Sequence, residues 1–282
     1  MKQACITAVV LTCNEEGNIK ECLGHLRWAD RLVVVDSGST DRTIPYAEEL
    51  GVDVYRNPWP GFAGQRNWSL DNAGIQTEWV LFVDADEIIP KQMQEEIRKA
   101  LSETTANAFY TCFKVMLFGK WVKHSSNFPV WHPRIVRFGK VRYREAATGH
   151  GETWTVEGNV GYIREPYVHY AFSKGLTAWF EKHNRNSTAE CNAFLSDGVS
   201  AWKAFASLFD LDRHKQRQAL RALSYYLPCR PLFRFVHQFL IKGGILDGPA
   251  GWTYCSLYFA YEIMISSKVA EKRFLQRSAG RK

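Results

Sequence analysis

The chain has 282 residues, 46% of them hydrophobic and 14% aromatic, enough for a packed globular core but long for a single one. Its net charge of +7 is uneven: residues 200–282 carry +9, whereas residues 1–199 carry −2. Seven scattered cysteines with no Cys-x-x-Cys pair argue for reduced, mostly buried thiols and against a zinc site or disulfide framework, and the first apolar run is too short for a secretory leader, so a cytoplasmic start is expected.

In chain order, Ile6–Leu11 reads as a buried strand, followed by a helix over Glu16–Leu26 with Ile19, Cys22, Leu23 and Leu26 on one face. Leu32–Val35 is a second strand. Thr43–Leu50 is a helix closed by Gly51, and Val52–Tyr55 is a third strand. A helix over Gln65–Ala73 leads to a fourth strand, Trp79–Val83. Pro90–Leu101 is a helix with Met93, Ile97 and Leu101 at i, i+4 and i+8. Unbroken apolar strands alternating with helices predict a parallel α/β sheet covered on both faces.

After Leu101 the rhythm changes. Ala108–Leu117 and Arg134–Phe138 read as strands, residues 141–172 as irregular β structure, and Ser173 to about Glu190 as helix. From Ser200 the chain is helical, aromatic and basic, with Pro and Gly turns predicting short helices. No uncharged stretch is long enough to span a bilayer. A basic third points to an anionic partner, either nucleic acid or a membrane face. Basic, aromatic, amphipathic segments suit a helix lying in a membrane interface, and no nucleic-acid motif accompanies them.

Polar clusters stand at three strand ends, where an open sheet binds its ligands. The first is Thr12-Cys13-Asn14-Glu15-Glu16 and the second Asp36-Ser37-Gly38-Ser39-Thr40-Asp41. The third, Asp84-Ala85-Asp86-Glu87, sets two carboxylates at i and i+2, so they project to one side. Hard oxygens of this kind suit Mg²⁺ or Mn²⁺ together with substrate phosphates. The competing reading is a polar strand cap, with Asn14 and Asp41 as helix caps. Arg66, near a helix start after Pro58-Trp59-Pro60-Gly61, suits a diphosphate; otherwise it is a surface arginine.

These motifs in this order and spacing resemble the family 2 inverting glycosyltransferases. Trp59-Pro60-Gly61-Phe62, His150-Gly151-Glu152 and the helix Ala178–Ser187 are similar to the bacterial branch that builds lipopolysaccharide core and exopolysaccharide. The resemblance covers residues 4–190. It implies a GT-A nucleotide-sugar-binding fold, Rossmann-like and mostly parallel, over residues 1–195, with a donor half (1–105) and an acceptor half (106–195). A helical, membrane-interface extension would occupy 196–282. It implies that Thr12, Asn14, Glu16, Asp36 and Ser37 line a nucleoside pocket. Arg66 would sit near the diphosphate or sugar, Asp84 would face the ribose or sugar, and Asp86 would bind the metal. His169 is a further candidate metal ligand. Glu152 is the candidate general base, with Glu145 and Glu157 as competitors, because inversion requires deprotonation of the acceptor hydroxyl. Trp131 or Trp154 could stack on the acceptor sugar, and Lys182-His183-Asn184-Arg185 corresponds to a segment near the family's active site.

The implied donor is a nucleotide-diphospho-sugar, with UDP-sugar expected. The implied acceptor is a lipid-linked or lipopolysaccharide saccharide at the inner face of the cytoplasmic membrane, where the protein would be peripheral. A non-catalytic membrane-associated scaffold and a nucleic-acid-binding protein are the alternatives.

Overall fold

The computed structural model describes residues 4–146, 152–196 and 229–279, together with 205–208, 210, 212, 216, 219–220 and 223–224. The described residues fall into two compact units, one running to Lys174 and one beginning at Gly175.

The first unit begins with strict alternation: β1 (Ile6–Thr12), α1 (Ile19–Gly24), β2 (Arg31–Asp36), α2 (Thr43–Glu49), β3 (Asp53–Arg56), α3 (Phe62–Asn72) and β4 (Trp79–Asp84). The two-residue β5 (Glu87–Ile88) and α4 (Lys91–Ser102) follow. Then come β6 (Ala108–Leu117), β7 (Lys120–Trp121), β8 (Trp131–Arg137), β9 (Val141–Glu145), β10 (Glu152–Val156) and β11 (Val160–His169). Among the described residues, nine strands form one sheet ordered β3-β2-β1-β4-β8-β6-β11-β5, with β7 paired to β6; β9 and β10 form a separate hairpin.

The first four strands are parallel. β8 is antiparallel to both β4 and β6, and β11 is parallel to β6. The sheet is therefore mostly parallel, as expected of a GT-A fold. One face packs Ala8, Val10, Leu81 and Val83 against α1 and α4 through Leu23, Met93 and Ile97. The other packs Val9, Val33 and Phe82 with Leu70 of α3 and Tyr143 of β9. Burial on both faces explains why β1, β2 and β4 read as continuous apolar runs.

β11 is irregular. Ile163 pairs with Thr111 and Tyr167 with Phe113, so four steps on β11 match two on β6. The backbone N–H groups of Arg164 and Glu165, within this irregular stretch, donate to the Glu96 carboxylate of α4 at 2.7–3.1 Å.

In the second unit, α5 (Gly175–Ser196) and the short α6 (Arg230–Val236) both pack on α7 (Gly248–Ala279). α7 is one helix of 32 residues, about 48 Å long at 1.5 Å per residue. The short helices expected of this region are found between Arg230 and Asp247, but from Gly248 onward the helix is continuous. Gly248 and Pro249 stand at the helix start, where neither interrupts the hydrogen-bond ladder. The expected boundary near residue 195 and this division differ by the length of α5. No helix among the described residues is long and apolar enough to cross a membrane.

Candidate functional site

β2 and β3 lie on one side of β1, and β4 lies on the other. The strand order thus reverses at β1, which opens a crevice at the carboxyl ends of β1 and β4. Register puts the strand-end clusters at one level. Thr12 is opposite Asp36, and Leu11 is opposite Asp84.

The first two clusters are stitched together. Asn14, at a left-handed φ of 54°, accepts the Thr40 N–H at 2.8 Å and donates its own N–H to Ser39 Oγ at 2.8 Å. Glu16 accepts the Arg42 N–H at 3.0 Å. Asp36 is buried, and its carboxylate takes the N–H groups of Gly38 and Ser39, both at 2.8 Å, and the Ser39 hydroxyl. Ser37 Oγ accepts from Gln65 Nε2 at 3.1 Å. Asp41 accepts the Thr43 N–H at 3.0 Å; burial would raise its carboxyl pKa, but hydrogen bonds from Thr43 and Glu16 outweigh this and lower it. Of the expected nucleoside-pocket residues, Thr12 differs: its Oγ1 is buried with no hydrogen-bond partner.

The third cluster is an ion-pair network. Arg66 is 1% exposed, so it is not a surface arginine. Its guanidinium lies over the rings of Phe82 and Tyr143. Arg66 Nε donates to Glu152 Oε1 at 3.1 Å, and Nη2 to Asp84 Oδ1 at 3.3 Å. Arg134 of β8 donates through Nη2 to Asp84 Oδ2 at 2.8 Å and to Glu87 Oε1 at 2.6 Å. Burial alone would push the Asp84 carboxyl up; the guanidiniums of Arg134 and Arg66 outweigh it and hold it well below the usual range. Glu87 is buried more fully, and desolvation only partly offset by Arg134 pushes it up to about 7. Arg66 Nη1 and Arg134 Nε are buried donors without hydrogen-bond partners.

Asp86 adjoins this network and pairs with His169. Its Oδ2 is 3.3 Å from His169 Nε2, and both side chains are about one-fifth exposed. The pairing of β5 with β11 brings them together: Glu87 is opposite His169, and the Tyr170 N–H donates to the Asp86 carbonyl at 2.9 Å. Among the described residues no group of three or more His, Cys, Asp or Glu is gathered to hold a metal. A carboxylate and an imidazole still fit a hard divalent cation that completes its shell with phosphate and water oxygens.

Of the three candidate bases, Glu152 joins the Arg66–Asp84 network. Glu145, opposite it in the β9–β10 hairpin, instead accepts the Ala63 N–H at the start of α3 at 3.0 Å. Glu157 is exposed and pairs with Lys140 at 3.1 Å. His150 and Gly151, which complete the His-Gly-Glu motif, lie outside the described residues. Trp131 and Trp154 enter one aromatic cluster through Tyr162 and Tyr110, with ring centroids 5.0 and 4.8 Å apart respectively. In the 182–185 segment of α5, His183 stacks on Trp179 at 3.6 Å, and Asn184 accepts from Lys268 of α7 at 2.7 Å.

Sequence reasoning gave no place in the donor site to Arg134, Glu87 or Lys174. Lys174 Nζ reaches Glu15 at 2.6 Å and the Cys13 carbonyl at 2.9 Å, binding the segment after β11 to the loop after β1. In the sequence Arg134 is only the start of an expected strand, because the antiparallel pairing of β8 with β4 has no local sequence signal.

Fold and site together define a doubly wound α/β protein with a carboxylate-rich crevice at its switch point. Residues 7–168 match the family model "Glycosyl transferase family 2", and the chain belongs to that family. It is 26% identical over 199 residues to the lipopolysaccharide core biosynthesis glycosyltransferase LpsC of Rhizobium meliloti, covering 68% of this chain and 73% of that one. An uncharacterized glycosyltransferase of Rickettsia bellii is 39% identical over 93 residues, and the match spans only 33% of this chain and 31% of the relative. Among solved structures, Staphylococcus aureus TarS 1-349 is similar with a TM-score of 0.44 and 16% identity, covering 92% and 91% of the two chains. Glucosyl-3-phosphoglycerate synthase from Mycobacterium tuberculosis, in a complex with Mn²⁺, UDP-glucose and phosphoglyceric acid, gives a TM-score of 0.35 and 26% identity over 39% and 44%.

Proposed function

We propose that the chain transfers a hexose, with inversion, from a nucleotide-diphospho-sugar to a lipopolysaccharide-core or lipid-linked saccharide, and that it works with Mg²⁺ or Mn²⁺. The observation that carries this reading is Asp86, just past the carboxyl end of β4, beside His169 and next to a network of buried charges. Family membership supports the transfer chemistry, and the similarity to LpsC over two thirds of the chain supports the acceptor class.

The donor's nucleoside would lie against the loops after β1 and β2, where Thr12 Oγ1 is a buried group in want of a partner. Asp86 and His169 would hold the cation, which would neutralise charge on the diphosphate. Arg66 and Arg134 fix the Asp84 carboxylate in its ionised form, ready to accept hydrogen bonds from donor hydroxyls. An acceptor hydroxyl oxygen forms its bond to the anomeric carbon as the bond from that carbon to the diphosphate oxygen breaks. The proton passes to the Glu152 carboxylate, and the electron pair leaves with the nucleoside diphosphate. Arg66 orients Glu152 through Nε.

Two variants test this. With Asp86→Asn, titration calorimetry of UDP-sugars should lose its Mn²⁺ dependence. With Glu152→Gln, donor binding should persist while transfer stops. Turnover of Glu152→Gln at the wild-type rate would place the base elsewhere, and unchanged Mn²⁺-dependent binding by Asp86→Asn would remove the metal assignment.

A further inference from the structure

α6 and the two turns after it have two unlike faces. Phe235, Gln238 and Phe239 recur at i, i+3 and i+4, and the two rings meet Trp252 of α7 with centroids about 5.5 Å apart. Gly244 and Asp247, in the 3₁₀ turn that follows, are buried. On the other face stand Leu232, Phe233, Val236, Leu240, Ile241 and Leu246, all exposed. Phe233 is 63% exposed, Leu246 69% and Ile241 72%. Soluble surfaces scatter such side chains singly; with Ile245 this stretch gathers seven within fifteen residues.

Within this stretch the exposed charges have one sign. Lys242 and His237 are exposed, and the Arg234 side chain is half-exposed. Between Arg230 and Tyr261 the sequence contains one acidic residue, Asp247, and it is buried. Glu262, which Arg230 and Arg234 both contact at 3.0 Å or less, is also buried. No exposed carboxylate in this stretch offsets the cations. A second copy of the chain meeting this face symmetrically would bring like charges together.

We propose that this face docks on an anionic lipid surface, with Phe233, Ile241 and Leu246 entering the acyl boundary and Lys242 and Arg234 at headgroup level. Apolar side chains supply area-dependent binding, and the cations add attraction that falls with salt. The patch is assembled from three short elements braced on α7, so it is a preformed surface. Docking is independent of the transfer reaction, and its test needs no turnover.

The full chain should co-sediment with vesicles of equal parts phosphatidylethanolamine and phosphatidylglycerol, less so as salt rises, and not with phosphatidylcholine vesicles. The triple variant Phe233→Ser, Ile241→Ser, Leu246→Ser should bind at least about tenfold more weakly. A wild-type chain left in the supernatant would overturn the proposal. So would vesicle binding unchanged by the triple substitution, or a wild-type dimer that the substitution dissociates while neither form binds vesicles. Should the triple variant fail to melt cooperatively, Lys242→Glu decides: weaker binding with a shallower salt dependence supports docking, and unchanged binding refutes it.

Discussion

Glu87 Oε2 accepts the backbone N–H of Asp84 at 2.9 Å, so the last carboxylate of the Asp-Ala-Asp-Glu turn folds back on its first residue. The same side chain meets Arg134 at 2.6 Å through its other oxygen. Glu87 thus shapes the turn and anchors the cation that keeps Asp84 ionised, and it does both from the interior.

Removing it should cost more than surface carboxylates do. Glu87→Ala leaves a buried guanidinium with one carboxylate fewer and strands a backbone donor, a loss of about 3 kcal/mol. Glu87→Gln keeps an amide oxygen for one of the two contacts and should cost about half as much. Urea denaturation midpoints at constant slope measure both. Equal midpoints for wild type and Glu87→Ala would remove Glu87 from the structural account.

Gly61 precedes α3 with φ at +104°, and a Cβ there would lie 2.6 Å from Glu145 Oε1. The carboxylate end can swing aside, so the backbone penalty dominates Gly61→Ala, at about 1–2 kcal/mol. Glu145→Ala should cost about 1 kcal/mol by uncapping Ala63. Chemical denaturation of the two single variants and the double variant reads the coupling. A Gly61→Ala protein as stable as wild type would exclude the backbone penalty.

His132 sits beside Arg134, and burial together with that guanidinium pushes its pKa down to about 3. The folded chain therefore holds this imidazole neutral where the unfolded chain, near 6.5, protonates it. The unfolded state binds the extra proton, so this contribution to stability is full above pH 6.5 and is lost progressively as pH falls towards 3. The slope is at most about 1.4 kcal/mol per pH unit, reduced by the partial exposure of the ring. His132→Phe should flatten the profile of thermal midpoint against pH between 6.5 and 4. A wild-type profile that rises towards acid in that window, or one identical in the variant, would contradict the assignment.

Much of the first hundred residues could be read directly. Strands β1, β2 and β4 are apolar runs because both of their faces are covered, and α4 declares itself through Met93, Ile97 and Leu101. Local rules also place Asp36, Asp84 and Asp86 at strand ends. They do not say which oxygens are already engaged. Asp36 reads as a residue lining the nucleoside pocket, and its carboxylate accepts N–H groups of its own loop. Arg66 reads as a diphosphate partner or a surface arginine; its burial against Phe82 and Tyr143, the latter 77 residues further along the chain, has no local signal. Arg134 reaches Asp84 only because β8 runs antiparallel into a parallel sheet. The length of α7 was obscured by glycine and proline at its start, which punctuate a sequence in the same way whether they end a helix or begin one.

β11 carries two residues more than β6 between Ile163 and Tyr167, and His169 lies just beyond them. Side chains alternate along a strand, so the parity of that surplus decides on which side the imidazole emerges. Losing both extra residues would keep His169 facing Asp86; losing one would turn it to the opposite side. A relative with an odd change in this stretch would retain every motif residue and still lack the carboxylate–imidazole pair. The pair is thus encoded partly by residue identity and partly by a count of residues that touch neither partner.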